Sequence, residues 1–269
     1  MRVPRGARAA AIGAAGGLFA GLTGVGGGAI LVPLLVSALR MRQHAAHGTS
    51  LAVIGAGALA GAATYARTTS IDWPLAMTLL PTALLGAAAG ATFVQRIPAI
   101  RLRALFGAFL FAVALRMALP LGGAAAHVDG VWRLLLGAGT GLAGGLLSGA
   151  LGVGGGAVFV PALVLLFGES QHAAQGVSLA VIVPTAAAGT ATHWRHGSVD
   201  GSVAAWLALG AVPGSAAGAA VASSLRADVL QRGFAAVLLA VGAQMVWSGW
   251  RAARTPAAQV EGTPTHDAG

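Results

Sequence analysis

Two segments of this 269-residue chain carry the same six residues, 128 positions apart. Residues 24–29 and 152–157 both read Gly-Val-Gly-Gly-Gly-Ala, and a proline follows each segment four residues later. The spacing holds without a gap between 24–72 and 152–200, where about 28 of 49 aligned positions are identical. An internal duplication predicts two pseudo-symmetric halves, and transporters commonly build a central pathway at such an interface.

The composition indicates a membrane protein. Hydrophobic residues make up 57% of the chain and charged residues only 9%, and the mean hydropathy is +0.80. A soluble domain of this length would carry much more surface charge. Apolar runs of about 20 residues recur along the chain, which is the length of a membrane-spanning helix. We therefore expect an all-α, polytopic transmembrane helical bundle embedded in a lipid bilayer.

The charged residues exclude several functions. All 16 basic residues are arginines, placed mostly at the ends of apolar runs, so the net charge of +9 indicates membrane orientation and no nucleic acid as a partner. The chain has no lysine for a Schiff base and no cysteine for thiolate chemistry. None of the seven carboxylates falls in the middle of an apolar run, which disfavours cation transport. We expect no metal and no cofactor.

Eight apolar segments are predicted to be helical, at roughly 8–39, 44–66, 74–93, 101–121, 131–167, 172–194, 202–222 and 229–250. The first and the fifth are too long for one simple crossing, because a helix of about 33 residues reaches roughly 50 Å against a hydrocarbon core of about 30 Å. Each contains the glycine run near its middle, and consecutive glycines favour unwinding. We expect each to be a broken helix or a re-entrant pair.

The arginine distribution favours the re-entrant alternative. If each long segment crosses once, the arginines divide about 8 against 7 between the two faces, whereas re-entrant hairpins give about 11 against 4 or 5. Hairpins leave three crossings per half, so the two halves would be inverted. We place the first repeat at residues 1–126, the second at 127–250, and a polar tail, predicted to be disordered, at 251–269.

The pattern Gly-x-Gly-Gly-Gly-x-x-x-x-Pro near the start of each half, followed by a polar link and a helix, resembles the sulfite exporter TauE/SafE family of membrane permeases. The resemblance covers nearly all of residues 10–250, including motif position, length and hydropathy. It implies a multi-pass carrier of the bacterial inner (plasma) membrane for sulfite, sulfonates or related organosulfur anions, with export as the favoured direction. The family is broad, so membership does not fix the substrate.

The glycine runs carry the leading hypothesis for a binding site. An unwound run followed by a new helix presents unpaired backbone N–H groups and the positive end of a helix dipole, with no side chains in the way. Such an end binds anions, so the two runs together would hold one small anionic substrate. Thr23 and Ser148 would add hydroxyl donors. The glycines predicted to bind the substrate are Gly24, Gly26, Gly27, Gly28, Gly152, Gly154, Gly155 and Gly156.

A second repeated cluster follows each glycine run, at the start of the next helix. Its members lie about one to two helical turns apart, so they are predicted to share a face that lines the substrate cavity. Imidazole groups donate hydrogen bonds to anions and titrate near neutral pH, which suggests binding, gating or proton coupling, with helix capping as the alternative. The cluster consists of Gln43, His44 and Ser50 in the first half and Gln171, His172 and Ser178 in the second.

Several alternatives remain open on the sequence alone. The glycines would also serve close packing between helices. A dinucleotide fingerprint is disfavoured because no acidic residue follows about 20 positions on. An intramembrane enzyme would need a nucleophile and base or a metal cluster within the spans. A non-transporting structural subunit, a carrier for an unrelated small anion and a homo-oligomer all stay possible.

Overall fold

In the computed structural model, residues 4–93, 99–119, 128–151 and 154–254 are described, and their regular secondary structure is entirely helical. Six of these helices are long and apolar enough to cross a membrane. The expectation of an all-α polytopic bundle is confirmed. The helices are α1 Arg5–Thr23, α2 Gly28–Ala38, α3 Gln43–Thr68, α4 Trp73–Phe93, α5 Ala99–Ala118, α6 Val131–Leu151, α7 Gly156–Phe167, α8 Gln171–Arg195, α9 Gly201–Ser224 and α10 Ala227–Arg254.

Both long segments are divided by their glycine runs, as predicted. The segment 8–39 becomes α1 and α2, and the segment 131–167 becomes α6 and α7. α10 continues to Arg254, four residues beyond the expected end at 250, and the rest of the predicted tail lies outside the described residues. The predicted boundary between the repeats, at 126 and 127, also falls outside the described residues or at their edge, so it stays a prediction.

The helix pairs of the two halves pack alike at the spacing of 128. Gly17 of α1 faces Ala211 of α9, and Gly145 of α6 faces Ala83 of α4; adding 128 to 17 gives 145, and adding 128 to 83 gives 211. The first helix of each half thus packs against the fourth helix of the other half. Glycine lets the two backbones approach closely, which is how helices associate where water provides no driving force.

α1 and α9 run in the same direction. Gly13 of α1 lies against Leu207 of α9, and Gly17, one turn later, lies against Ala211, also one turn later. Equivalent residues of α6 and α4 follow the same order, so this second pair is parallel as well. Each glycine run thus follows a helix, α1 or α6, that belongs to a closely packed parallel pair.

α3 runs in the same direction as α1. Gly61 of α3 and Gly21 of α1 both lie against Ser215 of α9, and the Asp200 amide at the start of α9 donates a hydrogen bond to Oγ1 of Thr49 near the start of α3, at 3.0 Å. Since α2 connects two parallel helices, it has to return toward the side from which α1 started. The α1–α2 pair is therefore a re-entrant hairpin.

α3 and α8, which occupy the same place in the two halves, run in opposite directions. Leu51 near the start of α3 lies against Gly189 near the end of α8. Tyr65 near the end of α3 lies against Gly176 near the start of α8. The two halves are thus inverted relative to each other, and the α6–α7 hairpin enters from the face opposite to that of α1–α2.

This arrangement gathers the arginines at one end of the bundle. Since short loops rich in arginine stay in the cytoplasm, that end is the cytoplasmic one. In the described part of the chain, nine arginines lie at this end and five at the other. The cytoplasmic set is Arg5, Arg8, Arg40, Arg42, Arg101, Arg103, Arg195, Arg251 and Arg254, and the opposite set is Arg67, Arg116, Arg133, Arg226 and Arg232.

Cysteine labelling tests the inverted arrangement directly. The chain contains no cysteine, so Ser70→Cys and Ser198→Cys each introduce a single thiol. Ser70 follows α3 and Ser198 follows α8, and these helices run in opposite directions. We expect an impermeant maleimide to label Ser70→Cys only from outside the cell and Ser198→Cys only from the cytoplasmic side. Labelling of both from one face would contradict the inverted fold.

Candidate functional site

Both glycine runs adopt backbone conformations that end one helix and start another. Gly24 caps α1 in the left-handed region with φ 70°, and Gly26 and Gly27 follow with φ 94° and 73° before α2 begins. In the second run Gly154 has φ 79°, and α7 begins at Gly156. Only glycine enters this region without a steric penalty, so the sequence fixes the position of both breaks.

The two breaks meet near the middle of the protein. A Cβ on Gly156 would collide with the carbonyl oxygen of Gly24 and lie 2.6 Å from Cα of Val25, while a Cβ on Gly154 would lie 3.2 Å from the Val25 oxygen. The meeting point also touches α3 and α8, because a Cβ on Gly26 would lie 3.3 Å from Cγ2 of Ile54 in α3 and 3.4 Å from Cδ1 of Ile182 in α8. The glycine-run residues that sequence reasoning selected are therefore brought together, except Gly152, which lies outside the described residues.

The amides of the first break differ in their hydrogen bonding. The Gly24 amide donates to the Ala20 carbonyl oxygen at 2.8 Å, so it completes α1 and is engaged. The amides of Gly26, Gly27 and Gly28 have no acceptor among the described residues, although all three residues are buried. Buried amides without a partner are uncommon in proteins, and at the start of a helix they favour an anion.

The repeated serines and Gln171 are buried. Ser50 donates to the His47 carbonyl oxygen at 2.8 Å, and Ser178 donates to the Gly24 carbonyl oxygen at 2.7 Å. This hydrogen bond connects α8 to the first break. Ser178 therefore lies next to the glycines with which it was predicted to act. The Gln171 carboxamide is 2% exposed and finds no partner in the described part of the chain.

His172 caps a helix. Its Nε2 lies 3.1 Å from the carbonyl oxygens of Ala222 and Leu225, at the end of α9. This geometry favours the capping alternative over a place in the substrate cavity. The backbone of Gln43 and His44 begins α3, but their side chains lie outside the described residues, so the binding role of this pair stays a prediction.

A cavity of about 330 Å³ lies between α3, α4, α8 and the last turn of α6, which leads into the second break. Its polar lining comes from His47, His193, Ser148, Thr185 and Thr192. The centroids of the two imidazole rings are 6.4 Å apart, and the ring planes are inclined by 51°. Ser148, expected from the sequence to add a hydroxyl near the second break, lines this cavity, which we call the histidine chamber.

A second polar cluster, around Tyr65, lies beside the first break and leaves no comparable space. The Tyr65 hydroxyl lies between two acceptors, the Gly21 carbonyl oxygen at 2.9 Å and Oε1 of Gln175, and its single proton can be donated to either. Nε2 of Gln175 donates to the Leu22 carbonyl oxygen at 3.1 Å. Tyr65 and Gln175 are each 0% exposed, so these bonds hold α3 and α8 tightly against the end of α1.

The carboxylates in the links between helices cap the start of a helix or form ion pairs. Hydrogen bonds from the Ser202 side chain and the Val203 amide lower the pKa of Asp200, which caps α9. Burial, followed by the nearby charge of Asp72, raises the pKa of Glu169. Both Asp72 and Glu169 pair with Arg133. Among the described residues no group of three histidines, cysteines or carboxylates is placed to bind a metal ion.

Sequence reasoning did not select His47, Tyr65, Gln175 or His193. A signal was present, because 47 plus 128 is 175 and 65 plus 128 is 193. Each pair is polar in both halves but differs in residue type. Attention to identical residues therefore selected His44 and His172, whereas the residues that line or close the cavities differ between the halves.

Comparison with known proteins agrees with this architecture. The model of the sulfite exporter TauE/SafE family matches residues 2–117 and 136–266. The chain belongs to this family. A probable membrane transporter protein of Xylella fastidiosa (strain Temecula1) is 30% identical over 240 residues, covering 87% of this chain and 92% of that protein. The probable membrane transporter protein YunE of Bacillus subtilis is 26% identical over 261 residues, covering 87% and 96%.

No solved structure shows significant similarity to the chain. The family assignment, the apolar helices and the bacterial relatives identify a multi-pass membrane transporter of the bacterial inner membrane. The substrate and the direction of transport depend on the chemistry of the site.

Proposed function

We propose that this transporter carries small sulfur-containing anions, such as sulfite and short organosulfonates, out of the cell, and that it catalyses no reaction. The observation that carries the proposal is the meeting of the two helix breaks, where the amides of Gly26, Gly27 and Gly28 have no acceptor in the described chain. Helix N-termini and free amides favour an anion over a cation or a neutral solute. The family description supports sulfite as the first substrate to test.

The anion would bind beside the two breaks. In this conformation Gly156 and Gly24 are in contact, so the space between them is closed. The lining of the histidine chamber includes Ser148, which lies four residues before Gly152 on the chain, so the anion would pass from the chamber toward the second break. An anion in the chamber would meet the Ser148 hydroxyl and the two imidazole groups first and the amides of Gly154 and Gly155 next.

Export needs no coupling ion under this proposal. With the cell interior negative, each unit of negative charge that moves outward gains roughly 2.3 kcal/mol per 100 mV. The high arginine content of the cytoplasmic end would also attract anions to the chamber entrance. Facilitated efflux is thus sufficient, and the absence of mid-span carboxylates from the sequence agrees with it.

A flux assay with purified protein in liposomes tests the proposal. Vesicles are loaded with radiolabelled sulfite or isethionate, and efflux is followed with and without an inside-negative potential. We expect saturable efflux that the potential accelerates, and no flux of sodium or of neutral sugars. Absence of flux for every anion tested, with folded protein in the membrane, would favour a structural subunit. Selective flux of a different anion would retain a carrier and exclude the sulfur compounds.

A further inference from the structure

The histidine chamber has a counterpart in the other half, where the same positions are packed shut. At the repeat spacing of 128, His47 corresponds to Gln175 and His193 corresponds to Tyr65. Ala87, which lines the chamber, corresponds to Ser215. The residues around Tyr65 are thus the repeat equivalents of the chamber lining. We call this cluster the tyrosine counterpart.

The two sites differ in burial although the helices around them are equivalent. Tyr65, Gln175 and Ser215 are each 0% exposed. His47 and His193 are half-buried, and they face a cavity of about 330 Å³. In the counterpart a Cβ on Gly61 would lie 2.8 Å from both Ser215 Oγ and a Leu179 methyl group, so no room remains there.

The chamber and its counterpart lie toward opposite ends of the bundle. His47 is near the start of α3 and His193 near the end of α8, at the arginine-rich cytoplasmic end. Tyr65 is near the end of α3 and Gln175 near the start of α8, at the other end. One conformation therefore shows an open site on the cytoplasmic side and a closed equivalent on the outer side.

The closed site contains a polar atom that its present packing does not satisfy. Oγ of Ser215 is buried and has no hydrogen-bond partner among the described residues. A buried hydroxyl without a partner costs free energy, which a second conformation with water or an anion in that space would recover. The corresponding Ala87 faces the open chamber and needs no partner.

Resting on the proposed function, we propose that the histidine chamber is the cytoplasmic binding chamber for a small organic anion, and that Tyr65 and Gln175 close the equivalent chamber on the outer side. Transport then exchanges the two states, so that the counterpart opens when the histidine chamber closes. Inverted repeats make such an exchange natural, because each half can adopt the conformation of the other around a shared site.

The lining specifies the chemistry of the ligand. The Ser148 hydroxyl and the imidazole groups of His47 and His193 are of the types that donate hydrogen bonds to an acidic headgroup. The Thr185 and Thr192 hydroxyls donate to backbone carbonyl oxygens of α8 in this conformation. Leu51 and Leu84 of the same cavity offer apolar contact to a short carbon chain. No carboxylate is among the described residues that line the cavity, so none of them repels an anion. A two- or three-carbon sulfonate combines both features and fits the cavity volume.

Exchanging the residues between the halves tests the proposal. His47→Gln with His193→Tyr gives the histidine chamber the residues that close its counterpart, and Tyr65→His with Gln175→His does the reverse. Two reporter thiols follow the result in the cysteine-free chain: Ala87→Cys in the chamber and Ser215→Cys in the counterpart. His196→Tyr, which changes an exposed histidine of the same region, is the matched control.

We expect a charged methanethiosulfonate to modify Ala87→Cys from the cytoplasmic side and to leave Ser215→Cys unmodified from outside. His47→Gln with His193→Tyr should slow Ala87→Cys modification at least about tenfold, and Tyr65→His with Gln175→His should speed outside modification of Ser215→Cys by a similar factor. Isethionate should protect Ala87→Cys, and the His196→Tyr control should change neither rate.

The outcomes separate this inference from the proposed function. Unchanged thiol reactivity in both exchange variants, with native anion flux, would overturn the chamber pair while leaving the transport function intact. The expected reactivity changes together with an absence of sulfite or sulfonate flux would support the chamber pair and overturn the proposed substrate. Failure of isethionate to protect Ala87→Cys would overturn the assignment of the chamber as the sulfonate site.

Discussion

Replacing Gly26 and Gly154 with leucine strongly reduces anion flux and leaves the helices folded: this is the result we expect at the breaks. Both glycines have positive φ, which costs an L-residue about 1–2 kcal/mol, and a side chain on Gly26 would press on Ile54 and Ile182. Leucine would therefore displace the amides that face the substrate, and flux in the liposome assay should fall at least about tenfold.

A matched control separates this effect from backbone strain alone. Gly130 has φ 65° in the link before α6, and nothing lies within 4 Å of the position of its Cβ. Gly130→Leu carries the same conformational penalty away from the breaks, so we expect near-native flux. The amount of protein in the membrane and its far-UV circular dichroism verify folding. Native flux in the Gly26→Leu, Gly154→Leu protein would exclude the breaks from the transport site.

The second large effect concerns the contact between α1 and α9. We expect Gly210→Ala to destabilise the protein by roughly 1–3 kcal/mol, the usual cost of overpacking. A Cβ at this position would collide with the Ala10 carbonyl oxygen and lie 2.7 Å from the Ala14 nitrogen. Because these are backbone atoms of a neighbouring helix, no side-chain rotation relieves the clash. The two helices would have to separate.

Gly233→Ala in α10 is the corresponding control. Nothing lies within 4 Å of the Cβ position of Gly233, so the added methyl group meets open space. Alanine also favours the helical conformation by about 1 kcal/mol relative to glycine, so we expect equal or higher stability. Thermal unfolding of both variants in the same detergent measures the difference. A Gly210→Ala protein as stable as the Gly233→Ala protein would contradict the close α1–α9 packing.

Much of the fold follows from local sequence. The length of the apolar runs predicted the membrane spans, because apolar side chains avoid water. Consecutive glycines predicted that segments 8–39 and 131–167 would break, because glycine adopts backbone conformations that end a helix. The same spacing of 128 relates the helix bounds of the two halves, and it relates contacts such as Gly17 with Ala211 and Gly145 with Ala83. The choice between a broken crossing and a hairpin depended on helix direction, which only contacts between helices such as Thr49 with Asp200 establish.

The candidate site was predictable only in part. The glycine runs were predicted because consecutive glycines by themselves indicate an unwound backbone with free amides. The structure brings the two runs together. The orientation of a polar side chain depends on tertiary packing: His172 turns to the end of α9, while His47, one turn beyond His44, lines a cavity. Residues that differ between the halves create the open and closed sites, and similarity between the halves does not reveal them.

The most direct measurement is the location of a bound anion. Crystals of the cysteine-free transporter are soaked in selenite, a heavier analogue of sulfite, and selenium is located by anomalous scattering. We expect a peak within hydrogen-bond distance of the amides of Gly26–Gly28 at the first break or of Gly154 and Gly155 at the second break. Selenium bound only elsewhere, with both helix breaks vacant at concentrations that support saturated flux, would contradict this expectation.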